Sequence, residues 1–180
     1  MMREATLCFP VLGNPITKIL LGYKKVGFGK DYLGGFGGKI EAGESIFEAT
    51  VRELAEETGL QASMDDLEAM GVLTFVFPAR PSWGQIVHVS ILRVWRGRLV
   101  ESTEMVPAWF KIGDIPYEQM WDDGSYWLPY VLQGQPIEAK FTFRGDNRTV
   151  EGAEIVLLDE GFLDKRFLDN HFNDGKIGAL

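Results

Sequence analysis

The chain of 180 residues has one cysteine, Cys8, and two histidines, His88 and His171. A single thiol excludes an intrachain disulfide and suits a reducing compartment. Within Leu7-Cys8-Phe9 it reads as a core thiol rather than a nucleophile. Neither histidine has a partner at metal-ligand spacing, so both read as structural. Basic residues are the scarcer charge, 18 against 26 acidic ones, giving a net charge of −8 and a pI of about 4.8. That balance argues against non-specific nucleic-acid binding and against an anionic membrane surface. It does not exclude phosphorylated small molecules, because a bound cation supplies local positive charge. No apolar run reaches the ~18 residues of a membrane-spanning helix, and no positive-then-apolar leader is read, so the expected location is cytoplasmic. There is no internal repeat and no low-complexity linker.

The informative stretch runs from Gly38 to Leu60, GKIEAGESIFEATVRELAEETGL. Ser45 followed by Glu48 is a capping box. Ile46, Thr50 and Leu54 form an apolar stripe at helical spacing, widened by Phe47 and Val51. The spacing predicts a helix over about Ile46 to Thr58, stopped by a left-handed Gly59. On it Glu53 and Glu57 share a face, and Glu56 follows Arg52 by one turn. The acids are poorly placed for helix stability. Glu53 and Glu57 repel by roughly 0.2–0.5 kcal/mol, and Glu56 and Glu57 sit at the negative end of the macrodipole. Alone they would be an ordinary solvated face. A glycine-rich approach, Leu33-Gly34-Gly35-Phe36-Gly37-Gly38, changes that reading, because glycines let backbone approach a metal or phosphate closely. A Mg2+ ion takes carboxylate oxygens together with substrate phosphates.

Strands are expected at Glu4–Leu12, Thr17–Lys25, Tyr32–Ile40, Ala69–Pro78, Ile86–Arg96 and Pro107–Ile112, with Pro10 marking an edge or bulge. A terminal hairpin is expected from Lys140–Arg144 and Thr149–Val156, and a second helix at Tyr126–Leu132. Mostly strands with two helices is an α+β pattern, a mixed sheet with helices on its faces. Residues 1–157 read as one domain. Residues 158–180 lack a clear period and read as a C-terminal extension, either docked or loosely ordered.

In order, the stretch is Gly38, five residues, Glu44, seven residues, Arg52-Glu53-Leu54, one residue, Glu56-Glu57, one residue, Gly59-Leu60. Every specified position of the Nudix box is filled, and the chain resembles a Nudix hydrolase. Outside the box, LLGYKKVGFG, YLGGFGGKIEAGES, ESTEMVPAWF and MWDDGSYW resemble the branch acting on oxidised purine nucleoside triphosphates (8-oxo-dGTP diphosphatase and MutT-like relatives). The similarity spans roughly Thr6 to Val156.

The resemblance implies a Nudix α/β/α sandwich and hydrolysis of a nucleotide substrate with Mg2+, or Mn2+ in its place. Nucleoside monophosphate and pyrophosphate would be the products. It implies metal ligands at Glu53, Glu57, the Gly37 carbonyl and Glu104, with Glu56 a further ligand or its support. Arg52 would orient the glutamates and Glu44 anchor the turn into the helix. Glu53 or Glu104 would be the general base. Trp121 would stack on a purine, in a pocket shared with Thr6, Lys24, Phe28 and the Gly34, Gly37 and Gly38 backbone.

Two positions depart from the branch. Gly34 stands where it has a hydrogen-bonding asparagine. Asp122-Asp123-Gly124 stands where it has Pro-Asp-Asp. An ungapped match keeps Asp123 alone, whereas a shift of one residue makes Asp122 and Asp123 the pair. Two other functions are compatible with the motif. One is a Nudix pyrophosphohydrolase of ADP-ribose, a dinucleotide or another triphosphate. The other is a non-catalytic nucleotide sensor, which the intact glutamates argue against.

Overall fold

Strand β1 (Arg3–Leu12) is the seam of the molecule, whose computed structural model describes residues 2–168. One edge of β1 runs parallel to β5 (Gln85–Leu92), from Arg3 opposite Gln85 to Pro10 opposite Leu92. The other edge serves two partners in turn. The Thr6 and Cys8 amides donate to the carbonyls of Gly38 (2.8 Å) and Phe36 (2.6 Å). Val11 and Leu12 then pair with Ile19 and Lys18 of β2 (Lys18–Lys24). The edge or bulge expected from Pro10 is not found, since β1 is an interior strand. Its proline is tolerated because the missing N–H falls where one partner gives way to the next.

Strand β2 also pairs with β3 (Leu33–Gly34) and with β6 (Met105–Lys111). Beyond β5 lie β4 (Leu67–Val76), β7 (Ile137–Phe143) and β8 (Val150–Leu157), so the order is β3-β2-β1-β5-β4-β7-β8 with β6 on β2. Parallel β1/β5 and β4/β7 pairs alternate with antiparallel ones, which makes the sheet mixed. Two strands are shorter than their apolar runs. β5 ends at Leu92, and Arg96 instead exchanges backbone hydrogen bonds with Gln61. The glycine-rich stretch 32–40 keeps only β3 and isolated bridges at Phe36 and Lys39.

Helix α1 (Ile46–Thr58) has the expected bounds and caps. Ser45 Oγ accepts from the Glu48 amide at 3.1 Å, and Glu48 accepts from the Ser45 amide at 2.7 Å. Gly59, at φ 74°, closes the helix with its amide on the Ala55 carbonyl. Helix α2 (Gly124–Leu132) buries Trp127, Leu128 and Val131 against Phe9, Val89 and Phe141 on one face of the sheet. On the other face, Leu54 and Phe47 of α1 pack with Cys8, Leu20 and Val72. Helix α3 (Phe162–Leu168) lies on that same face, so the layers form an α/β/α sandwich. Burial pushes the Cys8 thiol up to about 12, as befits a core thiol. His88 is buried and its Nε2 lies 2.9 Å from Glu4 Oε2. His171 lies outside the described residues. No helix among the described residues is long and apolar enough to cross a membrane.

The start of the C-terminal extension is docked. Gln135 Nε2 donates to the Leu158 carbonyl at 2.9 Å. Leu163 and Phe167 are each 1 % exposed, and the Phe167 ring packs tilted against Phe47 of α1 and edge-on to His88. Burying a phenylalanine against two layers is worth about 3 kcal/mol. Phe167→Ala is therefore expected to lower unfolding free energy by about that much in urea denaturation. A loss under about 1 kcal/mol would show that α3 contributes no packing.

Candidate active site

Helix α1 presents Arg52, Glu53, Glu56 and Glu57 on the side facing the glycine-rich approach. Arg52 gathers its surroundings. Its Nε and Nη2 reach the two Glu44 carboxylate oxygens at 2.6 and 2.9 Å, as a fork. Nη2 also donates to the Lys39 carbonyl at 3.1 Å, and Nη1 to Glu53 Oε1 at 2.8 Å. Glu56, one turn on, is a looser partner at 3.6 Å. Glu44 in turn accepts from the Glu41 amide at 3.0 Å. Hydrogen bonds from Arg52 hold the Glu44 carboxyl down to about 2, and Glu44 raises the guanidinium still further.

Glu57 is 2 % exposed, the deepest of the acids. One oxygen accepts from the Gly37 amide at 2.9 Å, and the other takes the Lys24 ammonium at 2.8 Å. Burial raises its carboxyl above the ordinary value, against the pull of Lys24 and Gly37. Burial also opposes the charge on Lys24, but there the carboxylates of Glu57 and Glu104 outweigh it and the ammonium is held above its usual value. Glu104 comes from the loop before β6, where Ser102 Oγ accepts from the amides of Glu104 and Met105. Its Oε2 lies 3.1 Å from Lys24 Nζ. Glu101, in the same loop, pairs with Lys25 instead.

A cavity of about 610 Å3 opens beside this cluster. Lys24, Gly37, Gly38 and Glu104 line it together with Trp121, Asp123, Phe28 and Gly34. Trp121 lies near-parallel to Tyr32 (4.7 Å, 18°) and to Phe28 (5.4 Å, 15°). Thr6 lines the same cavity and is buried, and its Oγ1 has no hydrogen-bond partner among the described residues. Asp123 is buried and accepts from Trp127 Nε1 at 2.7 Å. Asp122 is directed elsewhere, its Oδ2 holding the Val150 amide at 2.7 Å. Of the two aspartates, Asp123 alone lines the cavity. A Cβ on Gly34 would meet nothing within 4 Å, so the branch's asparagine position is open space here.

Sequence reasoning passed over Tyr32, Phe77, Trp83 and Phe143, which line the cavity. They come from four separate segments with no common spacing, and only the fold brings their rings together. It also passed over the Lys39 carbonyl as a seat for Arg52, since a backbone acceptor leaves no mark in a sequence.

Among the described residues no three acidic, histidine or cysteine side chains already stand together as a cation cage. The donor chemistry nonetheless suits a hard divalent ion, which takes oxygen ligands. Glu57 and Glu104 share one ammonium, and Glu53 is close enough to Glu57 to raise it. Gly38 also forms a cradle, because a Cβ there would stand 2.5–2.7 Å from the Glu53 carboxylate.

Residues 1–131 match the family model for the NUDIX domain. Oxidized purine nucleoside triphosphate hydrolase from Mus musculus is 41% identical over 142 residues, covering 79% of this chain and 88% of the relative. The protein of that name from Danio rerio is 41% identical over 136 residues, covering 74% and 84%. A MutT protein from Bacillus halodurans superposes with a TM-score of 0.72 over 86% of this chain and 97% of its own, at 23% identity, a likeness of fold.

Two expectations follow from the geometry. Gly38→Ala drives a methyl into Glu53 and should cut kcat by about 100-fold or more, with little change in melting temperature. Wild-type kcat in that variant would show that the cradle is irrelevant. Burial pushes the Asp123 carboxyl up to about 6, above the ~3.9 of an unfolded chain. The unfolded chain therefore loses this proton first. Its contribution to stability is complete below about pH 4, falls as pH rises to about 6 and stays lost above. Asp123→Asn should flatten that segment of the stability–pH curve in urea denaturation, and an unaltered slope would contradict the assignment.

Proposed function

The chain belongs to the Nudix family of phosphoanhydride hydrolases, and we propose that it hydrolyses purine nucleoside triphosphates, oxidised ones included, to the nucleoside monophosphate and pyrophosphate. One observation carries the substrate reading: an aromatic-walled cavity the size of ordinary ligand sites abuts the carboxylates of the motif helix. The curated relatives at 41% identity, named for this activity, support it. Such an activity cleanses a nucleotide pool, and the unbridged Cys8 suits a cytoplasmic setting. We assign catalysis to residues 1–157, with 158–180 as an appended segment.

In this reading Trp121, stacked on Tyr32 and Phe28, takes the base in exchange for one of those rings, and Asp123 offers a carboxyl to its polar edge. Thr6 Oγ1 and the open space at Gly34 complete the base end. Lys24, Gly37 and Gly38 meet the phosphates. Glu53, Glu57, Glu104 and the Gly37 carbonyl would hold a divalent ion, with Glu56 adding to or supporting the set. Magnesium is the assigned ion and manganese its substitute. When bound, such an ion neutralises phosphate charge and lowers the pKa of water. Arg52 keeps Glu53 in one rotamer, so the carboxylate is fixed before substrate arrives. Glu53 or Glu104 accepts the proton of the attacking water.

A second reading keeps the hydrolysis and changes the substrate to ADP-ribose, a dinucleotide or another triphosphate. The missing amide at Gly34 favours it, since pockets built on such handles lose discrimination without them. A non-catalytic sensor is the least supported, because every glutamate of the motif is present.

Pyrophosphate release from dGTP, 8-oxo-dGTP, 2-oxo-dATP and ADP-ribose at millimolar Mg2+ separates these readings. Purine triphosphates should have the highest kcat/KM, and no turnover of any of them would overturn the proposal. Glu57→Gln should abolish turnover, a fall of about 1000-fold or more, and activity unchanged by it would remove Glu57 from the ion site. At Gly34 a Cβ meets nothing within 4 Å, and Gly34→Asn should raise kcat/KM for the preferred purine about tenfold, the worth of one added hydrogen bond. An unchanged value would mean that the base does not pass Gly34.

A further inference from the structure

Lys24 does something the substrate reading does not need. Its Nζ lies 2.8 Å from Glu57 Oε1 and 3.1 Å from Glu104 Oε2, joining a carboxylate of α1 to one in the loop before β6. Both belong to the set assigned to the divalent ion. The second Glu57 oxygen is held by the Gly37 amide. Each of these oxygens keeps a second lone pair, but a cation seated on both Glu57 and Glu104 would stand where the ammonium lies, and like charges at that distance repel. The backbone amide is held by the chain on both sides, whereas the lysine has four rotatable bonds. The ammonium is the donor that yields.

We propose that Lys24 is an internal counter-cation that holds Glu57 and Glu104 until a divalent ion displaces it, so that the site resists metal in the absence of nucleotide. The inference rests on the ion site assigned above. Two carboxylates this near one another repel, and a half-buried ammonium relieves that repulsion at no cost in mobile ions. A displaced ammonium loses two partners and needs another anion. Lys24 also lines the cavity, where the phosphates of a nucleotide supply one. Metal and nucleotide then bind with positive coupling, and each must raise the affinity of the other by the same factor.

The test is binding of Mn2+ alone, read by the loss of its free-ion electron paramagnetic resonance signal, in wild type, K24M, K25M and E57Q. Lys25 is the control. Its loss removes the same unit of charge, but its Nζ pairs with Glu101 at 2.7 Å. K24M is expected to bind Mn2+ roughly tenfold more tightly than wild type, K25M within about twofold of it, and E57Q more weakly. Equal or weaker binding by K24M, with E57Q weakened, overturns the Lys24 role and leaves the ion site standing. An equal gain in K25M reduces the effect to net charge and also overturns it. E57Q binding like wild type, or no binding by any protein, sinks the ion site and this inference together. K24Q, which keeps a polar head, serves the same comparison if K24M does not fold.

Discussion

The site depends on a single guanidinium. Arg52 projects from α1 and joins the motif helix to the two segments that lead into it. It forks onto Glu44 in the turn before the helix, seats on the Lys39 carbonyl of the glycine-rich approach, and fixes Glu53 on its own helix. An exposed ion pair contributes little, but this one is half-buried, forked and shared among three acceptors. Planar geometry is what allows it, so lysine could not replace it. Through it the backbone at Gly38 is brought against the Glu53 carboxylate of the helix, while Gly37 is pressed on its other side against the β1 backbone at Thr6 and Leu7.

That register sets the electrostatics. Glu53 and Glu57 share one helical face, and Glu57 is driven into near-complete burial, where a charged carboxylate is costly. The Gly37 amide and Lys24 offset the cost. Deep acids held by removable cationic partners are poor devices for stability and good ones for receiving a metal and a phosphate. Net charge fits the same scheme, because a chain at −8 must draw an anionic substrate through local cations rather than a global field.

Sequence patterning made α1 legible to the residue. Ser45 and Glu48 began it, Gly59 ended it, and its apolar stripe chose the buried face. Those signals are local, so no distant contact could override them. The strands were legible as runs but not in their ends. The apolar run to Arg96 outlasts β5 because Arg96 finds its hydrogen bonds at Gln61, and Pro10 proved compatible with an interior strand where its neighbour changes. The acids of the helix could be placed on one face from spacing alone. Lys24 between Glu57 and Glu104 could not, since three segments far apart in sequence meet there. The aromatic wall escaped for the same reason: Tyr32, Trp83 and Phe143 have no common spacing and converge only when β3, β5 and β7 are in place. Whether Asp123 stood alone or was paired with Asp122 was open in the sequence, and their side chains part company in the fold, Asp122 tied to Val150 and Asp123 lining the cavity.

In the proposed function the carboxylates of α1, with Glu104, seat a divalent ion beside the cavity. The most direct measurement is anomalous diffraction from crystals grown with Mn2+ and a slowly hydrolysed purine nucleotide. A peak is expected within bonding distance of Glu53 and Glu57 oxygens and of the nucleotide phosphates, with Lys24 moved off Glu57. A nucleotide in the cavity with the ion elsewhere, or with none beside those glutamates, would contradict it.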